Sequence, residues 1–261
     1  MSTSLPRIVL LGAAGRMGRA ITARFQADGK VELVGAVDPA GVGSESPGPA
    51  IVAALDHLPN DLRADIALDF STASATRGHL EQCLSRGWDI LIGATGFTGE
   101  DHAAFAALAE KHSRRVVLVP NFTLGINLLL RFARDAARVF ERAEIIELHH
   151  DRKADAPSGT ALHTAGLIAQ SRNPSPPPGP DDPSRGRIAE NVPVHAVRLP
   201  GLLAHQEVLF GGEGEVLTIR HDITDRSAFL SGIYLAIDRL PRLAPGLVKG
   251  LEWAFEPPEP G

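Results

Sequence analysis

Reactive side chains in this chain concentrate in one string, Glu147-Leu148-His149-His150-Asp151-Arg152-Lys153-Ala154-Asp155-Ala156-Pro157-Ser158-Gly159-Thr160. A histidine exchanges protons near neutral pH, and a lysine supplies a mobile cation. Pro157 fits the first turn of a helix whose pattern begins at Thr160, and the backbone N–H groups exposed there form an anion site. If residues 145–150 are extended, His149 and His150 point to opposite faces. They then cannot share one ion without a break in the strand, so the pair is not read as a metal site. Lys153 comes close to His149 once the strand opens into a loop. A solvated polar loop would account for any one of these residues, but not for the whole string. A proton donor, a cation and an anion-binding helix end together describe a pocket for a small carboxylated substrate.

A second group of residues binds rather than reacts. Arg7 to Leu11 is a short apolar strand ending in Gly12-Ala13-Ala14-Gly15-Arg16-Met17-Gly18, followed by a helical pattern through about Ala27, a strand from Val31 to Val37, and Asp38. Strand, glycine turn, helix, strand and terminal acid is the dinucleotide-binding βαβ layout. The glycines allow a tight turn and close approach of a pyrophosphate to the helix N-terminus, while Asp38 can hold the adenosine ribose hydroxyls. The spacing is G-x-x-G-x-x-G rather than the commoner G-x-G-x-x-G.

The elements that must position these residues follow from pattern. Ala40 to Pro59 reads as a loop with one short helix, Ile66 to Phe70 as a buried strand, and Ala73 to Ser85 as a helix. Asp89 to Ile92 is a further strand ending in Gly93-Ala94-Thr95-Gly96-Phe97, at the carboxyl end where a cofactor crevice opens. A helix from Glu100 to His112 and a strand from Val116 to Val119 complete the α/β half. Pro120, Asn121 and Phe122 then lead to Gly125 and Asn127. Leu128 to Phe140 is an amphipathic helix, and another helix runs to about Ala169. Asn173 to Ser184 is Pro-rich and should be an exposed, mobile loop. Pro193–Leu199, Ala204–Phe210 and Glu215–His221 join the strand at 143–150 in a small mixed or antiparallel sheet. Arg226 to Leu240 is a helix that returns the chain to the first domain, and Leu247–Phe255 adds to it.

Composition narrows the function classes. A length of 261 residues fits one large or two modest domains, and 44% hydrophobic content is ample for a core. The net charge of −5 and the absence of a Lys/Arg cluster argue against a nucleic-acid partner. No apolar run approaches a membrane span, and no signal-peptide segment precedes the first strand. Cys83 is the only cysteine, which fits a reducing, cytoplasmic location, and it is expected as a small buried apolar residue in a helix.

At Glu147–Thr160 the chain closely resembles the 4-hydroxy-tetrahydrodipicolinate (dihydrodipicolinate) reductases of lysine and diaminopimelate synthesis. That family carries Glu-x-His-His-x-x-Lys-x-Asp-Ala-Pro-Ser-Gly-Thr, and the match has no gap. The same family shows Gly-x-x-Gly-Arg-Met-Gly, and its Asn-Phe-Ser-x-Gly-x-Asn is similar to Asn121–Asn127, a likeness that implies an interdomain hinge and the floor of a nicotinamide site there. Ala94 departs from the family's Gly-Thr-Thr-Gly-Phe. Arg198, Gly201, His205 and His221 follow the family's spacing, but residues 199–206 replace its Arg-x-Gly-x-x-x-Gly-Glu-His form, and structural packing is the reading for His205.

The resemblance implies an α/β fold, with an N-terminal Rossmann-type dinucleotide-binding domain (1–121, completed by 226–261). It also implies a smaller α+β substrate-binding and oligomerisation domain (122–225) with a mixed, largely antiparallel sheet. It implies an NAD(P)H-dependent reductase that reduces a cyclic 4-hydroxy imine dicarboxylate to tetrahydrodipicolinate with loss of water. Gly12–Gly18, Asp38, Gly93–Thr95 and Val119–Phe122 would arrange the nucleotide. His150, Lys153 and the N–H groups of Gly159 and Thr160 would hold the carboxylates, and His149 or Lys153 would deliver the proton. Asp38 is followed by Pro39 and Ala40, without the basic neighbour that some members place there, while Arg16 could reach the adenosine side; NADH is expected to be preferred modestly, with NADPH accepted. A homotetramer is implied. A dehydrogenase for another carbonyl or imine would keep the glycines and lose the His-His-x-x-Lys…Ser-Gly-Thr string. A regulatory nucleotide-binding protein would lose Lys153 or His149. Neither loss is seen.

Overall fold

A computed structural model describes residues 4–172 and 183–255 and divides the chain into two compact units, residues 1–122 with 229–261, and residues 123–228. The expected breaks lay after 121 and before 226.

In the first unit the apolar runs become parallel strands: β1 (Arg7–Leu11), β2 (Glu32–Val37), β3 (Ile51–Val52), β4 (Ile66–Asp69), β5 (Asp89–Ile92) and β6 (Arg115–Leu118). Helices α1 (Arg16–Asp28), α2 (Ala73–Ser85) and α3 (Gly99–His112) connect them. Ile8, Val9, Leu10 and Leu11 are fully buried, as expected of strands covered on both faces. Helix starts are set locally: Thr72 caps α2 through Ala75 N, and Thr98 and Asp101 form a reciprocal capping box on α3. Trp88, Leu80, Leu84, Cys83, Phe105 and Val116 fill the core between α2, α3 and the sheet. Burial pushes the Cys83 thiol far above its ordinary range, so it stays a neutral packing group.

The second unit opens with α4 (Leu124–Ala136), then β7 (Arg142–His149), α5 (Gly159–Ser171), β8 (Arg187–Ala189), β9 (Val192–Arg198), β10 (Ala204–Gly212) and β11 (Glu215–Ile223). Its sheet runs β11-β10-β7-β9-β8, with β7–β9 parallel and the other pairs antiparallel. Ile126, Leu129 and Ala133 of α4 and Ala161, Ala165 and Ile168 of α5 pack on Ala143, Ile145, Val194, Val208 and Phe210 of the sheet. The chain then forms α6 (Ala228–Arg239) and β12 (Gly246–Lys249). β12 pairs parallel with β6 and extends the first sheet to the order β12-β6-β5-β4-β1-β2-β3. That order reverses at β1 and β4, which makes their carboxyl ends the binding crevice of a doubly wound sheet.

The fold differs from pattern reading in several places. The segment expected as loop before Pro59 contains β3, held by Asp38 N–H donating to the Val52 carbonyl. β8 was not anticipated. Helix α4 begins at Leu124, four residues before the expected start, and ends at Ala136. Most of the Pro-rich stretch lies outside the described residues; its end, Pro183–Arg185, forms a single helical turn. Among the described residues no helix is long and apolar enough to cross a membrane.

Candidate active site

Alternation along β7 turns Ala143, Ile145 and Glu147 to the helix-covered face, and their burial follows that period. Glu147 is fully buried, an unusual place for a carboxylate. It is satisfied by four donors. His149 Nδ1 lies 2.5 Å from Oε2, Arg198 Nη1 and Nη2 donate to Oε2 at 2.9 Å and Oε1 at 2.7 Å, and Ser158 N–H donates to Oε1 at 3.0 Å. The parallel pairing of β7 with β9 sets Arg198 opposite His149. Burial alone would raise the Glu147 pKa, but the hydrogen bonds from His149, Arg198 and Ser158 outweigh it and hold the carboxyl below its ordinary value.

β7 ends at His149, so His150 lies past the strand and the expected strict alternation between the two histidines does not extend to it. His150 Nδ1 is buried and has no hydrogen-bond partner among the described residues. Lys153 does not pair with His149: its Nζ donates to both carboxylate oxygens of Asp155, at 2.7 and 2.8 Å. The hydrogen bond from Lys153 holds the Asp155 carboxyl below its usual value. Arg198 Nη2 also donates to the Asp155 main-chain carbonyl at 2.6 Å, joining this loop to Glu147.

Pro157 sits outside α5, not in its first turn. Ser158 is the N-cap, its side chain accepting from Ala161 N–H at 3.2 Å. A single cap satisfies one of the free amides of a helix start. Gly159 and Thr160 N–H groups take no partner among the described residues, which leaves two donors for an anion. His205, by contrast, uses both ring nitrogens, Nδ1 with Asp222 at 2.7 Å and Nε2 accepting from Leu203 N–H at 3.3 Å, which is a structural role.

The crevice of the first unit is built by the glycine turn. Gly12 has φ +80° and lies against the Phe70 carbonyl, and a side chain on Gly18 would run into the Gly12 carbonyl. Gly15 caps α1 without a side-chain bond, and the amides of Arg16 and Met17 at the helix start take no partner among the described residues. Asp38 accepts from Ala14 N–H at 3.0 Å and Ala40 N–H at 2.9 Å, fixing the turn to the end of β2. Arg16 is exposed, and Arg19 Nε donates to the Ala14 carbonyl at 2.8 Å. Gly93 lies under the Phe70 ring, which stands 5.4 Å from the Phe122 ring. Ala94, Val119 and Phe122 are buried, while Thr95 and Pro120 are exposed and Asn121 is half-buried.

Three participants carried no role in the sequence reading. Glu147 could have been found there, because it shares a strand face with His149 two residues on. Arg198 was recognised only by spacing. Asp69, fully buried at the end of β4, accepts from Ser71 N–H at 2.8 Å and Ser71 Oγ at 2.5 Å and meets His79 Nδ1 at 3.0 Å, which fixes the turn bearing Phe70. An acid ending a buried apolar strand was its signal.

A nucleotide pyrophosphate fits the first unit, since the turn is bare of side chains where it passes closest to its neighbours and open amides begin α1. The family model described as "Dihydrodipicolinate reductase, N-terminus" matches residues 6–122, and "Dihydrodipicolinate reductase, C-terminus" matches residues 125–252. The 4-hydroxy-tetrahydrodipicolinate reductase of Geobacillus thermodenitrificans is 42% identical over 263 residues, covering 96% of this chain and 99% of the relative. That of Moorella thermoacetica is 43% identical over 268 residues, covering 96% and 98%. A dipicolinate-bound dihydrodipicolinate reductase from Paenisporosarcina sp. TG-14 superposes with a TM-score of 0.83 at 37% identity, covering 95% and 99% of the two chains.

Proposed function

Because the chain belongs to the dihydrodipicolinate reductase family, we propose that it reduces 4-hydroxy-tetrahydrodipicolinate to tetrahydrodipicolinate with NAD(P)H, in lysine and diaminopimelate synthesis. Net, one hydride and one proton enter the substrate and one water leaves. The observation that carries this reading is the unbroken string from Glu147 to Thr160, folded into an anchored histidine, an ion-paired lysine and two open helix-end amides. With NADH deuterated at the transferring position of C4, the product should carry deuterium on its ring; oxidation of NADH without ring deuterium would reject the reaction.

A bound nicotinamide nucleotide supplies the hydride. Gly12 to Gly18 hold its pyrophosphate and Asp38 its ribose, with Gly93, Ala94, Thr95 and Val119 to Phe122 lining the nicotinamide end. His150, Lys153 and the amides of Gly159 and Thr160 bind the two carboxylates. His149 or Lys153 donates the proton that neutralises the reduced ring, the kind of step for which a positioned acid contributes ~10²–10⁴-fold.

The nucleotide preference follows from charge. Asp38 carries its carboxylate at the end of β2 and has Pro39 and Ala40 after it, so a 2′-phosphate meets a like charge and no adjacent guanidinium. Arg16 gives one favourable contact against those two losses. NADH should therefore have a modestly higher kcat/KM than NADPH at matched ionic strength, where salt screens the phosphate contribution. If NADPH is preferred instead, Asp38 turns away from the ribose, and Arg16→Ala should abolish that preference.

The chain should assemble as a homotetramer through the sheet of the second unit. Supporting this, Val216 and Leu217 on β11 are exposed apolar residues at the sheet edge, which is costly for a monomer. Light scattering at micromolar concentration should return four times the chain mass, and a monomer mass would reject the assembly.

A further inference from the structure

We infer that Glu147, with Arg198 as its counter-ion, is the positioning residue that selects which nitrogen of His149 exchanges the catalytic proton. The inference rests on the proposed reaction only where it calls that proton catalytic. Its geometric part stands alone.

A deprotonated carboxylate can only accept hydrogen bonds, so His149 Nδ1, 2.5 Å from Oε2, must be the donor. A neutral imidazole has one N–H; with that hydrogen on Nδ1, the lone pair is on Nε2. The proton gained at Nε2 is then the one His149 can hand over, and Glu147 compensates the imidazolium charge while it is carried.

Two features keep Glu147 in that role. Arg198 donates to both carboxylate oxygens and Ser158 N–H to one, so the acid stays ionised although it is fully buried. The same guanidinium holds the Asp155 carbonyl, and the Asp155 carboxylate holds Lys153 Nζ. One buried acid thereby orients the histidine directly and, through Arg198, tethers the loop that carries the lysine. A carboxylate serving only to brace the start of α5 would need the Ser158 contact alone.

The test combines a spectrum with kinetics. In protein carrying ¹⁵N-histidine, with the His149 signals identified by their loss in His149→Gln, the neutral ring should show a protonated Nδ1 and an unprotonated Nε2. Glu147→Gln keeps the shape but removes the charge. It should lower kcat by at least about 10-fold, the smaller end of what removing an acid that orients a histidine does, with nucleotide affinity unchanged. It should also weaken the tautomer preference. A protonated Nε2 in the neutral ring of the wild-type protein overturns the inference, as does a Glu147→Gln enzyme with unchanged kcat and unchanged tautomer. If the variant does not fold, the wild-type spectrum decides. If the wild type proves inactive on this substrate, the proposed reaction fails while the tautomer is still read.

Discussion

Replacing either Lys153 or His149 by alanine lowers kcat at least ~100-fold and leaves NADH affinity nearly unchanged. Both residues lie in the second unit, whereas the glycine turn, Asp38 and Gly93 belong to the first. His149→Ala removes a ring held by a fully buried acid and leaves Glu147 with Arg198 and Ser158. The remaining donors preserve the fold. Lys153→Ala removes the ammonium that pairs with Asp155, an exposed carboxylate, so its structural cost is small and its activity loss reports function. Single-turnover kinetics with saturating nucleotide separate the chemical step from release. Near wild-type turnover in Lys153→Ala would remove the lysine from the mechanism.

Gly18→Ala in the nucleotide crevice should be nearly as damaging, for a steric reason. The added Cβ would run into the Gly12 carbonyl oxygen and lie 2.6 Å from that of Ala13, both rigid main-chain atoms. Neither can rotate away, so α1 must shift off the turn that brings its open amides to the pyrophosphate. Overpacking of this kind costs roughly 1–3 kcal/mol of stability. Losing one charge-assisted hydrogen bond to the phosphate costs a further ~1.5–3 kcal/mol of binding, or about 10- to 100-fold in NADH affinity. Gly78→Ala is the control. It lies exposed within α2 with open space around it, and alanine there should raise stability by about 0.5–1 kcal/mol. Calorimetry on both variants, with NADH titrations, checks the opposite signs.

How much could be read beforehand depended on the range of the interactions. The parallel strands were legible because burial on both faces forces continuous apolar runs, and Asp89–Ile92 appears with the bounds expected. Strands β3 and β8 are too short to carry a period and exist through pairing with β2 and β9. The first turn of α4 is poorly marked in the sequence because Gly125 and the β-branched Ile126 lie within it and Thr123 precedes it as the cap. Its glycine is explained only in three dimensions, since the His221 ring occupies the space a side chain would need.

At the site, residue types pointed to His149, Lys153 and the helix start. The hydrogen bonds that organise them did not show. Arg198 reaches Glu147 across 51 positions through the β7–β9 pairing, a contact that local pattern does not encode. Pro157 lies two positions before Gly159, the first residue of α5, because the chain places Ser158 between them as the cap, whereas proline by residue type alone suits a first turn.

Turnover is the most direct test of the proposed reaction. With 4-hydroxy-tetrahydrodipicolinate generated in situ, the purified enzyme should consume NADH, seen as falling nicotinamide absorbance, and form one tetrahydrodipicolinate per nucleotide oxidised. A flat trace with the same substrate preparation on which an established reductase of the family is active would contradict it.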